Sequence, residues 1–196
     1  EVINYELGPQ TNNTDNQHCA NSSQGQHIHL ILNNEPYTAH YEKEFDVDLQ
    51  DGNYIALSFI SRSYHESIKN NNAYKVIYYS INTDTTIDTA YIENPSTFAV
   101  DTVVGFHIAK NMFPYDPKGQ HLFYSRPKGE YDIEDCNSLM LDFFLVNTTL
   151  SEEGNKVKAT INGAEFILPK WAAYSVEGLG VGEHTFKLEL INSNGE

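Results

Sequence analysis

Three of the chain's eight histidines fall within Gly25-Gln26-His27-Ile28-His29-Leu30-Ile31-Leu32-Asn33-Asn34-Glu35-Pro36-Tyr37-Thr38-Ala39-His40-Tyr41. The His-x-His pair is the part of this stretch that could do chemistry. In a β-strand successive side chains alternate faces, so His27 and His29 stand side by side. Two neutral imidazoles on one face are a ready pair of ligands for Cu(II), Zn(II) or Ni(II). Asn33-Asn34 tolerates left-handed backbone, so the chain is expected to reverse there and return His40 beside the pair. His65 follows an apolar strand, Tyr54 to Ile60, and is the fourth candidate. The expected metal ligands are His27, His29, His40 and His65, with Glu42 and Glu66 as carboxylates that could orient the rings. For an all-histidine set the Irving–Williams order favours copper, with zinc the other candidate. The plainer alternative is a row of exposed histidines on a polar sheet face.

The elements that must position these residues read as strands. Ile28, Leu30 and Leu32 are all apolar and are expected to face the core, with the histidines pointing away from it. Phe45 to Leu49 alternates, Asp51-Gly52 signals a turn, and Tyr74 to Ile81 is rich in Tyr, Val and Ile. Ser138 to Val146 is the most apolar run, and Glu183 to Ile191 alternates through His184. No long segment has a 3.6-residue period, so helix content should be low.

Two stretches resemble each other, Ile31 to Tyr37 and Thr160 to Phe166. Asn33 to Gly52 spans 52 − 33 = 19 positions, and Asn162 to Gly182 spans 182 − 162 = 20. The pattern is that of a duplicated unit: strand, tight turn, return strand, loop, Gly turn, strand. In the second copy the positions of His27 and His29 hold Lys156 and Lys158, so a metal site would belong to the first copy alone. The expected fold class is all-β, with two related immunoglobulin-like β-sandwich modules, residues 1–118 with the histidine-rich strand and residues 119–196. The boundary is expected near Pro114 to Gly119.

The formal charge is 12 − 27 = −15, and aromatic residues make up 12% of the chain. So acidic a chain is repelled by nucleic-acid phosphates and is expected to meet cations or basic partners instead. No apolar run of about eighteen residues exists to span a membrane as a helix. The absence of Met at position 1 points to a processed or trimmed chain, compatible with a lipid anchor further upstream. Cys19 and Cys136 lie in no CxxC pair, which argues against redox catalysis and against a zinc knuckle. One disulfide between them fits an oxidising compartment, and two separate buried thiols are the alternative.

Other constellations carry less. Ser61, His65 and Glu66 are close in sequence, but hydrolase triads are assembled by the fold, and there is no GxSxG elbow. The acidic stretches Asp46/Asp48 and Glu130/Asp132/Glu134/Asp135 lack the spacing of a calcium loop. Asp84-Thr85-Thr86, Asp88-Thr89-Ala90 and Asp101-Thr102-Val103 resemble the triplet of a bacterial envelope O-glycosylation system, which makes Thr85, Thr89 and Thr102 candidate acceptors.

The runs GQHIHLILNNEPYTAHY, LSFISRSYHES and SLMLDFFLVNTTLSEEGNKVKATINGAEF resemble a family of bacterial envelope β-sandwich proteins, often lipoproteins and sometimes catalogued as phosphopeptide-binding. The Gly-x-His-x-His pattern is also similar to the copper-binding strand of copper/zinc superoxide dismutases, although the zinc loop and the active-site arginine motif of those enzymes are missing. These resemblances imply a sandwich in the periplasm, on the outer-membrane surface or secreted. Together with the residues they support a non-enzymatic binding protein with a copper or zinc site in its first module. The competing expectation is an accessory or docking subunit of a larger envelope assembly, in which the histidines have no metal role.

Overall fold

A computed structural model describes residues 2–12, 21–81, 119–132 and 134–196. The fold is all-β apart from a 3-10 helical turn at Asp135–Ser138. The strands are β1 (His27–Leu32), β2 (Thr38–His40), β3 (Gly52–Ser61), β4 (Tyr74–Ile81), β5 (His121–Arg126), β6 (Leu139–Val146), β7 (Lys156–Ile161), β8 (Ala164–Leu168), β9 (Tyr174–Val176) and β10 (Phe186–Ile191). They form three antiparallel sheets with strand orders β2-β1-β3-β4, β5-β6-β9 and β10-β7-β8.

The sheets are layered, and β6 explains how. It is buried along its whole length, as its near-continuous apolar run requires of a strand covered on both faces. Phe144 and Val146 face the first sheet and join Ile31, Leu57, Phe59 and Val76 in one core. Leu141, Phe143 and Leu145 point the other way and join Val157, Ala159 and Leu168 in a second core. The sheet β5-β6-β9 is thus the middle layer of three. Trp171 packs against both cores and donates its indole N–H to the Phe143 carbonyl at 3.0 Å.

The alternation on β1 holds, but the expected faces are exchanged. His27, His29 and Ile31 are each 0% exposed, and the apolar set contains the less buried Leu30 and Leu32. In register, His29 pairs with Phe59 and Ile31 with Leu57, which places both histidines on the sheet face that carries the core. The physical reason is that neutral imidazole is aromatic: rings stack on it and its Nε2 faces a second imidazole, so it packs as a core residue even though His29 Nδ1 is buried without a partner.

The two matching stretches occupy similar turns. Asn33 and Asn34 have φ of 50° and 61°, and Asn162 and Gly163 have 50° and 85°. In both, the first Asn bridges to the partner strand with its backbone and its amide. Asn33 donates its N–H to the Ile55 carbonyl and accepts from Ile55 N–H on Oδ1, both at 2.9 Å. Asn162 does the same with Thr185, at 3.0 Å each. Of the expected boundary from Pro114 to Gly119, all but Gly119 lies outside the described residues. So do Cys19 of the expected disulfide and the candidate acceptors Thr85, Thr89 and Thr102.

Candidate metal centre

The site begins with two adjacent histidines on a central strand. β1 is flanked by β2 and β3, so its backbone is paired on both edges and the two rings have little freedom. Tyr37 stacks on the His29 ring at 3.6 Å and 12°, and Phe59 meets it edge-on at 5.1 Å. Tyr41 lies 4.9 Å from the His27 ring.

The third ring arrives from the turn after β3. Arg62 N–H donates to the Glu66 carbonyl and His65 N–H to the Arg62 carbonyl, each at 2.9 Å. Within this turn His65 has φ 68°, a left-handed conformation that costs a non-glycine residue about 1–3 kcal/mol. The N-terminal segment clamps the turn: Thr11 N–H donates to Ser63 Oγ at 3.1 Å, and Ser63 N–H to Thr11 Oγ1 at 3.0 Å. The strained turn swings His65 over the His27/His29 pair.

Three nitrogens then face one another. His27 Nε2 lies 2.8 Å from His29 Nε2 and 3.1 Å from His65 Nδ1, and the last two are 3.5 Å apart. A tetrahedral ion with bonds of about 2.05 Å spaces its ligand atoms about 3.3 Å apart, so the triangle is already close to the required size. An ion held there would be bound by His27 Nε2, His29 Nε2 and His65 Nδ1.

The tautomer of His27 is determined by its other nitrogen. Nδ1 lies 2.8 Å from the Gly25 carbonyl, which can only accept, so Nδ1 carries the proton. Nε2 therefore presents a lone pair to the other two rings. A ligating histidine typically donates its second ring N–H to a carbonyl or carboxylate in this way. Burial lowers the pKa of His27, and His65 falls to about 3 chiefly through desolvation, with Arg126 the next cause. His29 is held well below the usual range, first by burial and then by the charges of His27 and His65. All three are neutral at pH 7 and have the lone pairs that a metal needs.

The structure corrects two parts of the expected site. His40 does not join the cluster. It pairs with Ile28 in the ladder, and residues directly opposite share a face, so its ring lies on the far side of the sheet from His27 and His29. There it stacks on Phe45 at 3.6 Å and bonds Thr38 Oγ1 at 2.8 Å. Glu66 is engaged by Arg62 and by the Tyr64 hydroxyl rather than by an imidazole. A backbone carbonyl takes the orienting role assigned to a carboxylate. Among the described residues, the group of side chains placed to hold a metal is His27, His29 and His65.

Sequence reasoning missed the cations around the site. Arg126 on β5 is 5% exposed, and Lys128 places Nζ 3.6 Å from the centroid of the Tyr37 ring that stacks on His29. Lys69 binds the fully buried Asp142, which also accepts Ser67 N–H at 3.2 Å. No motif marks these residues; only the packing of the middle sheet on the first brings them to the histidines.

No protein-family model, no curated protein and no solved structure matches this chain. No helix of the described residues is long and apolar enough to cross a membrane.

Proposed function

We propose that the protein is a non-enzymatic metal-binding protein that holds copper or zinc on His27, His29 and His65. The observation that carries this reading is the convergence of three imidazole nitrogens within 3.5 Å of one another, with the His27 lone pair turned inward by the Gly25 carbonyl. Three nitrogens so close have too few protons to satisfy one another fully. A bound cation uses all three lone pairs at once.

We further read the two units β2-β1-β3 and β8-β7-β10 as copies of one immunoglobulin-like module, supported by their matching turns and asparagine bridges. The resemblance to envelope sandwich proteins supports a place in the bacterial envelope or outside the cell. The docking reading has its own observation: Phe166 and Ile167 on the edge strand β8 are 50% and 51% exposed. An open, apolar edge strand is a surface on which another chain can pair.

Titration of the untagged protein with Cu(II) and Zn(II), followed by calorimetry and elemental analysis, tests the metal reading. The parent is expected to bind one equivalent. His29→Ala should weaken binding by more than about 100-fold, because loss of an outer partner alone costs about 10–100-fold. His65→Gly is the matched variant, since glycine keeps the left-handed turn without strain and deletes only the ring. His184→Ala and His40→Ala should bind as the parent does. Binding that survives both His29→Ala and His65→Gly leaves the docking reading in its place.

A further inference from the structure

A β-bulge turns Arg126 toward the sheet that carries the metal centre. Tyr124 pairs with Phe143, but the next paired residue is Arg126, opposite Asp142, so Ser125 is an extra residue in β5. Bulges of this kind redirect a side chain. Without it, the alternation that puts Tyr124 and Phe143 toward the second core would place Arg126 opposite Leu141, facing that core as well. With it, Arg126 shares the face of Asp142 and Phe144, which packs against the histidine sheet. Contacts on either side fix its location. Asp142, its cross-strand partner, accepts from Ser67, two residues beyond His65. Lys128, two residues beyond Arg126, covers the Tyr37 ring.

The guanidinium is only partly satisfied there. Nη2 donates to the Tyr131 hydroxyl at 3.0 Å, whereas Nε and Nη1 are buried without a hydrogen-bond partner. Asp142 is taken up by Lys69 and Ser67. A buried cationic donor left unsatisfied is costly, by more than a neutral one. Around the histidines, Arg126 and Lys128 are cations without a carboxylate partner among the described residues, and the buried Asp142 is offset by Lys69.

We infer that the centre takes its metal together with a small oxyanion, one oxygen on the ion and another on the Arg126 donors. This rests on the metal reading and adds its exogenous ligand. A divalent ion on three neutral imidazoles, with Arg126 and Lys128 beside them and Lys69 cancelling Asp142, brings the local formal charge to about +4, with no carboxylate in the ligand set. A charge of that size in a buried site requires a counter-anion. The anion that closes the metal's coordination is the one the arginine is built to receive, because N–H donors on a planar cation match carboxylate and oxyanion oxygens.

Metal and anion must then bind cooperatively, each raising the affinity of the other by the same factor. The test titrates Co(II) and Zn(II) into the full chain in the absence and presence of acetate or sulfate, and titrates each anion into the Co(II)-loaded protein while following its visible spectrum. The expected result is a rise in metal affinity with anion, a matching spectral shift, and loss of at least about tenfold of the anion affinity in Arg126→Met. A response to acetate alone identifies a carboxylate ligand, and a response to sulfate identifies a tetrahedral oxyanion. Tyr131→Phe, which removes the acceptor that positions Nη2 and keeps the guanidinium, serves if Arg126→Met does not fold, and should change the anion affinity while leaving the metal affinity measured without anion unchanged. If the parent takes up metal with a spectrum and an affinity indifferent to both anions, this inference falls and the metal reading stands. The same holds if Arg126→Met, or Tyr131→Phe in its place, responds to the anions as the parent does. If the parent takes up no metal, both fall.

Discussion

His27, His29 and His65 are neutral because they are buried, and this sets the acid limit of the metal-free protein. Each titrates near 6.5 in the unfolded chain. Each is lower in the folded chain, with His65 at about 3 and desolvation the leading cause for all three. Between the folded and unfolded values the unfolded chain holds more protons, so stability rises with pH across that window. The full stability is therefore present above about 6.5 and is lost as the pH falls toward about 3. The slope is at most about 1.4 kcal/mol per pH unit for each ring. Denaturant melts of the metal-free protein at successive pH values should show this loss, and His65→Gly should show a shallower one. An identical slope in that variant would assign the acid sensitivity to other groups.

At the scale of the element, the strand carrying the histidines is held by a glycine ahead of it. Gly25 has φ 83°, and a Cβ built there would lie 1.7 Å from the Gly8 carbonyl oxygen and 2.6 Å from that of Pro9. The N-terminal segment pairs against this point, with Gly8 N–H donating to Gln26 and Gln26 N–H to Pro9, both at 2.8 Å. Gly25→Ala therefore displaces backbone as well as straining it. It should cost at least about 2 kcal/mol. It should also weaken metal binding by about 10–100-fold, because the Gly25 carbonyl holds the His27 tautomer. Thermal melts and a zinc titration of the variant would check both effects.

The same element shows what a linear reading can reach. The period of two assigned His27 and His29 to one face, and the asparagine turns stand where composition placed them. Which face of β1 meets the core was not legible, since burial depends on the sheet that covers it. The position of His40 was lost to register: one residue of offset in β2 puts the ring on the other side. Arg126 was invisible because a bulge in β5, and nothing in the pattern of residue types, turns it toward the histidines.

At the scale of the molecule, the middle sheet ties the two cores together. Phe143 and Phe144 are adjacent on β6, both 0% exposed, and serve opposite cores. Phe143→Ala and Phe144→Ala should each cost about 3–5 kcal/mol. Because the strand is common to both layers, each should lower a single unfolding transition rather than split it. Coincident midpoints by circular dichroism and by fluorescence are the expected result; a separate early transition in one variant would show that the cores melt independently.

The rings that fill the first core also have an optical consequence. His29 meets Phe59 at 5.1 Å, Phe59 stacks on Phe144 at 4.8 Å, and Phe144 meets Trp171 edge-on at 4.9 Å. Trp171 is the chain's one indole, so the molecule carries a single indole fluorophore, joined to the metal centre by an unbroken line of π systems. Copper, with an open d shell, accepts excitation energy or an electron along such a line, whereas zinc, with a filled shell and no redox chemistry, does neither. Cu(II) loading should quench Trp171 emission and Zn(II) loading should leave it bright, so the protein would report which of the two metals it holds.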